Sequence, residues 1–421
     1  MSHLLIVELP GGNDSDILSA ALEHGHRYTF ATADPAHYQA QADLAPLLAR
    51  ACGVLALPHD GALWDAPLAV AHQANRFDAV LCLQDLRLIE TARVARVLGL
   101  AHVAPDTAIL CRDKAAVRAR LAAAGIEQGA FMRVMPGADA GQRLIAAVEQ
   151  LGLPLIIKPV DGFGSQHVFA LRTAADMEIL HRLADLVAQG PGDYGLGNAP
   201  VGALLVERLF EGPVLGCDVM RAHGRQVLLG VNAKVMAAPP SFAIRGGCFT
   251  ANCGQFDQLE AWLKRLLDAV GFDFGMAHVE LIMTAEGPHL VEINPRLVGA
   301  RIARLISTAL GRSVHADLIN LAVSGALPAL SPTPRHAATR WLLAPDTGVL
   351  AGITWPDCAD PAFVGIVANA HVGDAVRPAL DNADRLARVI TTGADRARIE
   401  ALAEQIVAGA DVNLRVPGFV C

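Results

Sequence analysis

The chain has 421 residues, 53% of them hydrophobic and 18% charged. Apolar burial on that scale can offset the ordering entropy of about two to four domains, which excludes wholesale disorder. Lys plus Arg number 34 and Asp plus Glu 42, giving a formal charge of −8, which leaves no electrostatic footprint for nucleic acid or an anionic membrane surface; the 5% aromatic content argues against a base-stacking platform.

In chain order, residues 4–7 read as a buried strand, followed by a turn at Pro10-Gly11-Gly12-Asn13 and a helix over 17–24 that Asp14 or Ser15 could cap. Strands are predicted over 28–31 and 79–83, and a helix over 91–98 ended by Gly99. Strand alternating with helix indicates a doubly wound parallel sheet in roughly the first 110 residues. Next come a helix over 114–124, a strand over 131–134, a helix over 141–151 and a strand over 155–158. The Gly-, Pro- and Asn-rich run 190–200 reads as an exposed loop. Strands over 203–206, 214–219, 227–231, 277–283 and 290–293 have few helices between them, so this part reads as an antiparallel sheet interrupted by a helix over 254–269. Residues 237–252 read as loop. Helices over 300–310 and 315–324 precede the proline-rich linker 328–334. The last 90 residues or so read as a small mixed lobe, with strands over 347–353 and 364–372 and a helix over 396–407.

No run of about 18 apolar residues offers a membrane span, and Met1-Ser2-His3-Leu4-Leu5-Ile6-Val7-Glu8 lacks the basic region of a signal peptide. The eight cysteines form no Cys-x-x-Cys pair and read as free thiols. A cytoplasmic protein without nucleic-acid or membrane partners is the expectation.

The most informative segment runs His278-Val279-Glu280-Leu281-Ile282-Met283, then Thr284 to Pro288 as a five-residue loop, then His289-Leu290-Val291-Glu292-Ile293-Asn294-Pro295-Arg296. If Met283 pairs with His289, Glu280 lies opposite Glu292, and the period of two puts His278, Glu280, Glu292 and Asn294 on one face with Val279, Leu281, Val291 and Ile293 on the other. Like charges directly opposite one another destabilise a strand pair. Two carboxylates and an amide oxygen there are hard ligands for Mg²⁺ or Mn²⁺, which would remove the repulsion. The alternative is a solvated face with both glutamates in water. Arg296 would bring a fixed cation near the same face.

Three other segments carry chemistry. Lys158 ends a strand, and Asp161-Gly162-Phe163-Gly164-Ser165 follows; glycines let backbone N–H groups approach phosphate oxygens, although the same run could be an ordinary turn. Lys114, in Arg112-Asp113-Lys114, opens a helix and could equally be a solvated lysine. Glu207, Arg208 and Phe210 stand where a buried strand meets a turn.

These signals, in this order, resemble the ATP-grasp superfamily of carboxylate ligases, over nearly the whole chain. The resemblance implies α/β plus α+β architecture: an N-terminal doubly wound domain (1–112), an ATP-grasp domain (113–325, with a lid subdomain 113–202 and a core 203–325 holding the metal site) and a C-terminal lobe (326–421) like that of the biotin-carboxylase branch. It implies that Lys114 and Lys158 hold nucleotide phosphates, that Gly162, Gly164 and Ser165 close over the triphosphate, and that Glu207, Arg208 and Phe210 meet adenine. Glu280, Glu292 and Asn294 would hold Mg²⁺ or Mn²⁺, two ions in all, and Arg296 would stabilise the transferring phosphoryl and the oxyanion. The chain departs from the family pattern at Val214, at His167 and at Val298, which bear on ribose contacts, loop dynamics and the acceptor pocket.

The implied chemistry is activation of a carboxylate by ATP to an acyl phosphate, which an amine attacks to form an amide. Within the superfamily the chain most resembles the L-amino-acid ligases, with small-molecule acid and amine substrates; a homodimer stays open as an assembly. A purine-pathway or carbamoyl-type ligase is the second reading, and an ATP-binding protein without catalysis the third. Arg245 is a candidate carboxylate clamp, with a solvated loop arginine as the alternative.

Overall fold

The computed structural model describes residues 1–9, 15–126, 129–162, 164–165, 167–180, 183, 202–237, 242–299, 301–380 and 382–415. Strands β1 (His3–Val7), β2 (Arg27–Thr32), β3 (Gly53–Ala56) and β4 (Ala79–Cys82) form an all-parallel sheet in the order β3-β2-β1-β4. Every residue of β1 and β4 is buried, because a parallel sheet is covered on both faces. The period of two divides β1 between two cores. Leu4 and Ile6 pack with the helices Asp16–Glu23 and Val314–Ser324, while Leu5 and Val7 pack with Leu88–Leu98. Gly99 ends that last helix at φ 68°, a left-handed cap. Ser15 stands at the start of Asp16–Glu23 without a side-chain cap bond. The turn expected at 10–13, Asp14 and the loop 190–200 lie outside the described residues.

Strands β5 (Phe131–Val134), β6 (Leu155–Pro159), β7 (Phe169–Leu171) and β8 (Leu204–Arg208) form an antiparallel sheet in the order β5-β8-β6-β7, covered by the helix Ala140–Leu151. The remaining strands are β9 (Val214–Ala222), β10 (Arg225–Met236), β11 (Ile244–Ala251), β12 (Gly275–Thr284), β13 (Gly287–Asn294), β14 (His336–Leu343), β15 (Gly348–Thr354), β16 (Phe363–Ala368), β17 (Ala375–Val376), β18 (Arg385–Gly393) and β19 (Asp411–Arg415). Eight of them form one antiparallel sheet, β13-β12-β9-β10-β11-β14-β18-β16, and three form the small sheet β17-β15-β19.

The central sheet therefore continues into the C-terminal residues instead of stopping at the proline-rich linker. The cause is β11, which falls in the segment expected to be loop. Gly246 and Gly247 suggest a turn, but they sit in a strand where neighbours crowd: a Cβ on Gly246 would lie 2.5 Å from the Thr339 carbonyl oxygen, and one on Gly247 2.6 Å from Asn232 Oδ1. The glycines permit close strand approach, and β14 pairs with β11 through Gly246–Arg340 to Thr250–His336. Among the described residues, no helix is long and apolar enough to cross a membrane, and Cys52, Cys82, Cys111, Cys217, Cys248, Cys253 and Cys358 are free thiols.

Candidate active site

The hairpin β12–β13 carries the centre. Glu280 is opposite Glu292 and His278 opposite Asn294, as the alternation predicts. Two details differ from expectation. The turn holds only Ala285 and Glu286, because Thr284 pairs with Gly287; the Thr284 hydroxyl donates to the Gly287 carbonyl at 3.0 Å. Met283 consequently faces Pro288, not His289. The offset is absorbed by a bulge at Glu280/Leu281, where Leu281 pairs with Leu290 and Val291 is the extra residue. Val291 leaves the core face for a cavity wall, and its carbonyl accepts from Arg118 Nη2 at 3.0 Å.

The repulsion between the facing glutamates is offset by protein cations. Lys114 Nζ lies 3.1 Å from Glu292 Oε2. Lys234 Nζ is ion-paired with Glu280 Oε1, and His278 Nε2 lies 3.2 Å from the same oxygen. Burial alone would push both carboxyls up; Lys234 and His278 beside Glu280, and Lys114 beside Glu292, hold both well below the usual carboxylate range. Burial pushes the His278 imidazole down, but Asp218 at 3.0 Å and Glu280 outweigh it and raise it to about 9. Lys234 reaches Glu280 across β9 because the intervening residue is Gly216, opposite Glu280 on one side and Asn232 on the other. A Cβ there would lie 2.7 Å from His278 Cε1 and 3.6 Å from Lys234 Cε.

Asn294 donates its Nδ2 to Glu292 Oε1 at 3.0 Å, which leaves its Oδ1 as an oxygen donor. The set, two carboxylates and one amide oxygen, suits a hard divalent cation such as Mg²⁺. Among the described residues no group of three or more His, Cys, Asp or Glu side chains is assembled as metal ligands.

Two cavities flank this centre. The first, 380 Å³, is lined by Lys114, Lys158, Gly162, Ser165, Arg208 and Phe210 among others. Lys114 opens the helix Lys114–Ala123 behind Asp113, whose side chain accepts from the Ala116 N–H, and donates its Nζ to the Gly162 carbonyl at 2.7 Å. Phe210 stacks on His289 with ring centroids 3.7 Å apart, and the Arg208 guanidinium lies 5.3 Å from the Phe210 ring. Phe163 and Gln166 lie outside the described residues; Gly164, Ser165 and His167 all take left-handed backbone, at φ 64°, 65° and 54°. Glu207 lines the same cavity, but its carboxylate is engaged by Arg118 at 2.8 and 3.2 Å and by Lys158 at 2.7 Å. Burial raises its pKa, and Arg118 and Lys158 outweigh that and lower it to about 2.

The second cavity, 680 Å³, lies between the C-terminal ends of the parallel strands and the C-terminal lobe; its walls include Glu8, Asp34, Tyr38, Arg296, Trp341 and Arg385. Val214 lines the first cavity and Val298 the second. Gly164, Lys234, Ile244, Glu280 and Glu292 line both, so the cavities adjoin at the paired glutamates. Arg296 is forked onto Asp85, with Nε to Oδ1 at 2.8 Å, a second bond from Nη2 to Oδ2, and Nη1 to the Leu297 carbonyl at 2.9 Å. Arg245, the candidate clamp, lines neither cavity; it is a strand residue paired with Glu404 at 2.8 and 3.0 Å. Lys234, Arg118, Asp85, Gly216 and Asp218 were not legible as site residues. Lys234 alone left a signal, a charged side chain within the apolar strand Val231-Asn232-Ala233-Lys234-Val235.

The ATP-grasp domain family matches residues 151–305, and the L-amino acid ligase C-terminal domain 2 matches residues 340–415. The chain is similar to the uncharacterized protein y4rH of Sinorhizobium fredii, at 27% identity over 330 residues, 76% of this chain and 65% of that protein. It is also similar to the L-arginine-specific L-amino acid ligase of Bacillus subtilis, at 25% identity over 252 residues, 59% of this chain and 58% of the relative. The chain thus spans less than two thirds of the length of these curated relatives. In fold it is similar to the crystal structure of L-amino acid ligase from Bacillus licheniformis, with a TM-score of 0.77, 18% identity and 99% of both chains covered.

Proposed function

The chain is an ATP-grasp protein that carries the L-amino acid ligase C-terminal domain, and from that premise we propose that it is an ATP-dependent carboxylate–amine ligase, joining an acid to an amino acid through an acyl phosphate. The observation that carries this reading is the shared wall. A nucleotide in the 380 Å³ cavity would point its triphosphate at Glu280 and Glu292, and a carboxylate in the 680 Å³ cavity would approach the same wall from the other side. In-line transfer of a phosphoryl group needs that meeting of two bound substrates.

In this reading the domains divide at about residues 112 and 325, the last two sharing one sheet through β11 and β14. Lys114 and Lys158 position phosphates, and Gly162, Gly164 and Ser165 offer backbone N–H groups and a hydroxyl to them. Arg208 and Phe210 flank the base, while Glu207 acts by holding Lys158 in place. Glu280, Glu292 and Asn294 would hold one or two divalent cations, which when bound would neutralise charge developing on the phosphate oxygens. The substrate carboxylate oxygen attacks the γ-phosphorus and ADP leaves. An amine nitrogen then attacks the acyl carbon, phosphate leaves with the bonding electron pair, and the nitrogen loses a proton. Arg296, oriented by Asp85, faces the second cavity and would stabilise the oxyanion of that second step.

The test is ADP release measured over pairs of amino acids and simple carboxylates with Mg-ATP. Release that depends on both an acid and an amine supports the ligase. Binding of ATP without release under any pair would identify a nucleotide-binding protein instead.

A further inference from the structure

The glycine loop is tied down at its start by the residues around the helix Lys114–Ala123. Arg112 Nη2 donates to the Asp161 carbonyl at 2.7 Å, and Lys114 Nζ to the Gly162 carbonyl at 2.7 Å. Farther along, Ser165 and His167 take left-handed backbone at φ 65° and 54° although neither is glycine. Such conformations persist where the surroundings over-determine them, and they collect at ligand clamps. At Ser165 one such constraint comes from a residue 217 positions away: Asn382 Nδ2 lies 3.5 Å from Ser165 Oγ. Asn382 belongs to the C-terminal lobe, in the short turn Asn382–Asp384 that leads into β18. Resting on the reading that Ser165 meets nucleotide phosphate, we propose that Asn382 is a positioning residue for that contact: it holds the Ser165 oxygen from behind and so aims the hydroxyl proton at the phosphate.

The direction of this chain of bonds follows from its fixed end. The backbone N–H of Ile244, the first residue of β11, meets the Asn382 amide at 2.9 Å. A backbone N–H can only donate, so the atom it meets is the amide oxygen, and the amide NH₂ is the group turned towards Ser165. A hydroxyl that accepts from an NH₂ keeps its single proton for another acceptor. The 3.5 Å separation is the outer limit for such a bond, and a shift of about 0.5 Å brings it to full strength. The place suits the task. Ser165 lines the 380 Å³ cavity, Asn382 lines the 680 Å³ one, and Gly164 and Ile244 line both. The C-terminal lobe thus reaches over the seam of the two cavities and takes part in nucleotide binding, through a residue that the sequence presents as an ordinary loop asparagine.

The test is a double-mutant cycle on the full-length protein, read by calorimetric binding of a non-hydrolysable ATP analogue with Mg²⁺. Asn382→Ala should weaken the analogue about 3- to 10-fold, the range of one hydrogen bond between neutral groups, and Ser165→Ala about 10- to 100-fold, the range for a bond to a charged group. If Asn382 acts through Ser165, adding Asn382→Ala to Ser165→Ala should change nothing further. Asn382→Asp keeps the acceptor for the Ile244 N–H, loses the donor, and should weaken binding at least as much as Asn382→Ala, which covers the case in which the alanine variant fails to fold. Equal losses from Asn382→Ala in both backgrounds overturn the proposal, because a merely structural role is additive. So does an unchanged analogue affinity with a raised KM for the acid or the amine, which would make Asn382 a substrate contact of the second cavity. If wild type binds the analogue but releases no ADP with any substrate pair, the ligase reading fails while the cycle still decides the role of Asn382. A wild type that does not bind the analogue overturns both.

Discussion

Two buried anionic clusters lie within one cavity wall of each other and behave differently. Around Glu207 the partner with the most bonds is a fork: Arg118 grips the carboxylate twice and is itself fixed by donating to the Leu290 and Val291 carbonyls, with Lys158 on the remaining side. Around Glu280 and Glu292 the charged partners are two lysines and one histidine. A lysine ammonium is a point charge on a four-carbon stem and can swing aside for phosphate or metal, whereas a guanidinium fork is fixed by geometry. Buried charge by itself therefore does not mark a site. The Glu207 cluster fastens the helix Lys114–Ala123 to β8 and the hairpin, and the Glu280–Glu292 cluster keeps its charge exchangeable.

The largest expected effect separates the two by stability. Arg118→Met leaves a buried carboxylate short of its main partner and should destabilise the fold by about 3–5 kcal/mol, read from the denaturant midpoint. Glu292→Gln should melt near wild type while losing activity by on the order of 10²–10³. If both variants melted alike, the contrast drawn here would be wrong.

The next effect is kinetic. Arg296→Lys keeps a charge but loses the fork, so kcat should fall strongly with the ATP KM nearly unchanged. Asp85→Asn should lower kcat by up to about 10²-fold through misorientation of Arg296. Lys114→Ala should instead raise the ATP KM, because its contact exists in the ground state. Steady-state kinetics of the three variants sorts these roles, and wild-type kcat in Arg296→Lys would remove the catalytic one.

Acid provides a third contrast. Arg118 and Lys158 lower the Glu207 pKa from 4.5 to about 2. A depressed carboxyl stabilises the fold above its unfolded pKa, and that stability is lost as pH falls through the folded value. Stability should therefore decline between about pH 4.5 and pH 2, and the acid midpoint of Arg118→Met should move upward. An unmoved midpoint would place the acid-sensitive group elsewhere. The smallest effect expected is at residues 161–167, where ATP should slow proteolysis; equal cleavage rates with and without ATP would argue against a closing role.

The pairing of Glu280 with Glu292 was legible, although by cancellation: the turn is shorter than the five-residue loop expected, and the bulge at Glu280/Leu281 restores the register. The bulge itself was not legible, since one extra residue leaves no mark on an apolar pattern. Lys114, Lys158 and the glycine loop stood out beside punctuation residues. Their partners did not, because Asp85 precedes Arg296 by 211 positions and Arg118 precedes Glu207 by 89, and spacing says nothing at such range. Strands β14 and β18 were overlooked because arginines interrupt their apolar runs. Those arginines, Arg340, Arg385 and Arg388, are buried, and the fold accommodates them through Glu404, Trp341 and the Arg301 carbonyl.

The unbroken sheet across β11 and β14 sets a rule for recombining this protein with its relatives. The lobe beyond residue 326 is not a cassette, because its removal would bare β11 as a long central edge, the kind of surface that templates aggregation. A chimaera that imports a foreign lobe must import the seam as well, Gly246 and Gly247 included, since any side chain at Gly246 collides with the Thr339 backbone. Grafts cut at the proline-rich segment are expected to be insoluble, and grafts cut upstream of Ile244 to stay in solution, a difference that a centrifugation assay reads directly.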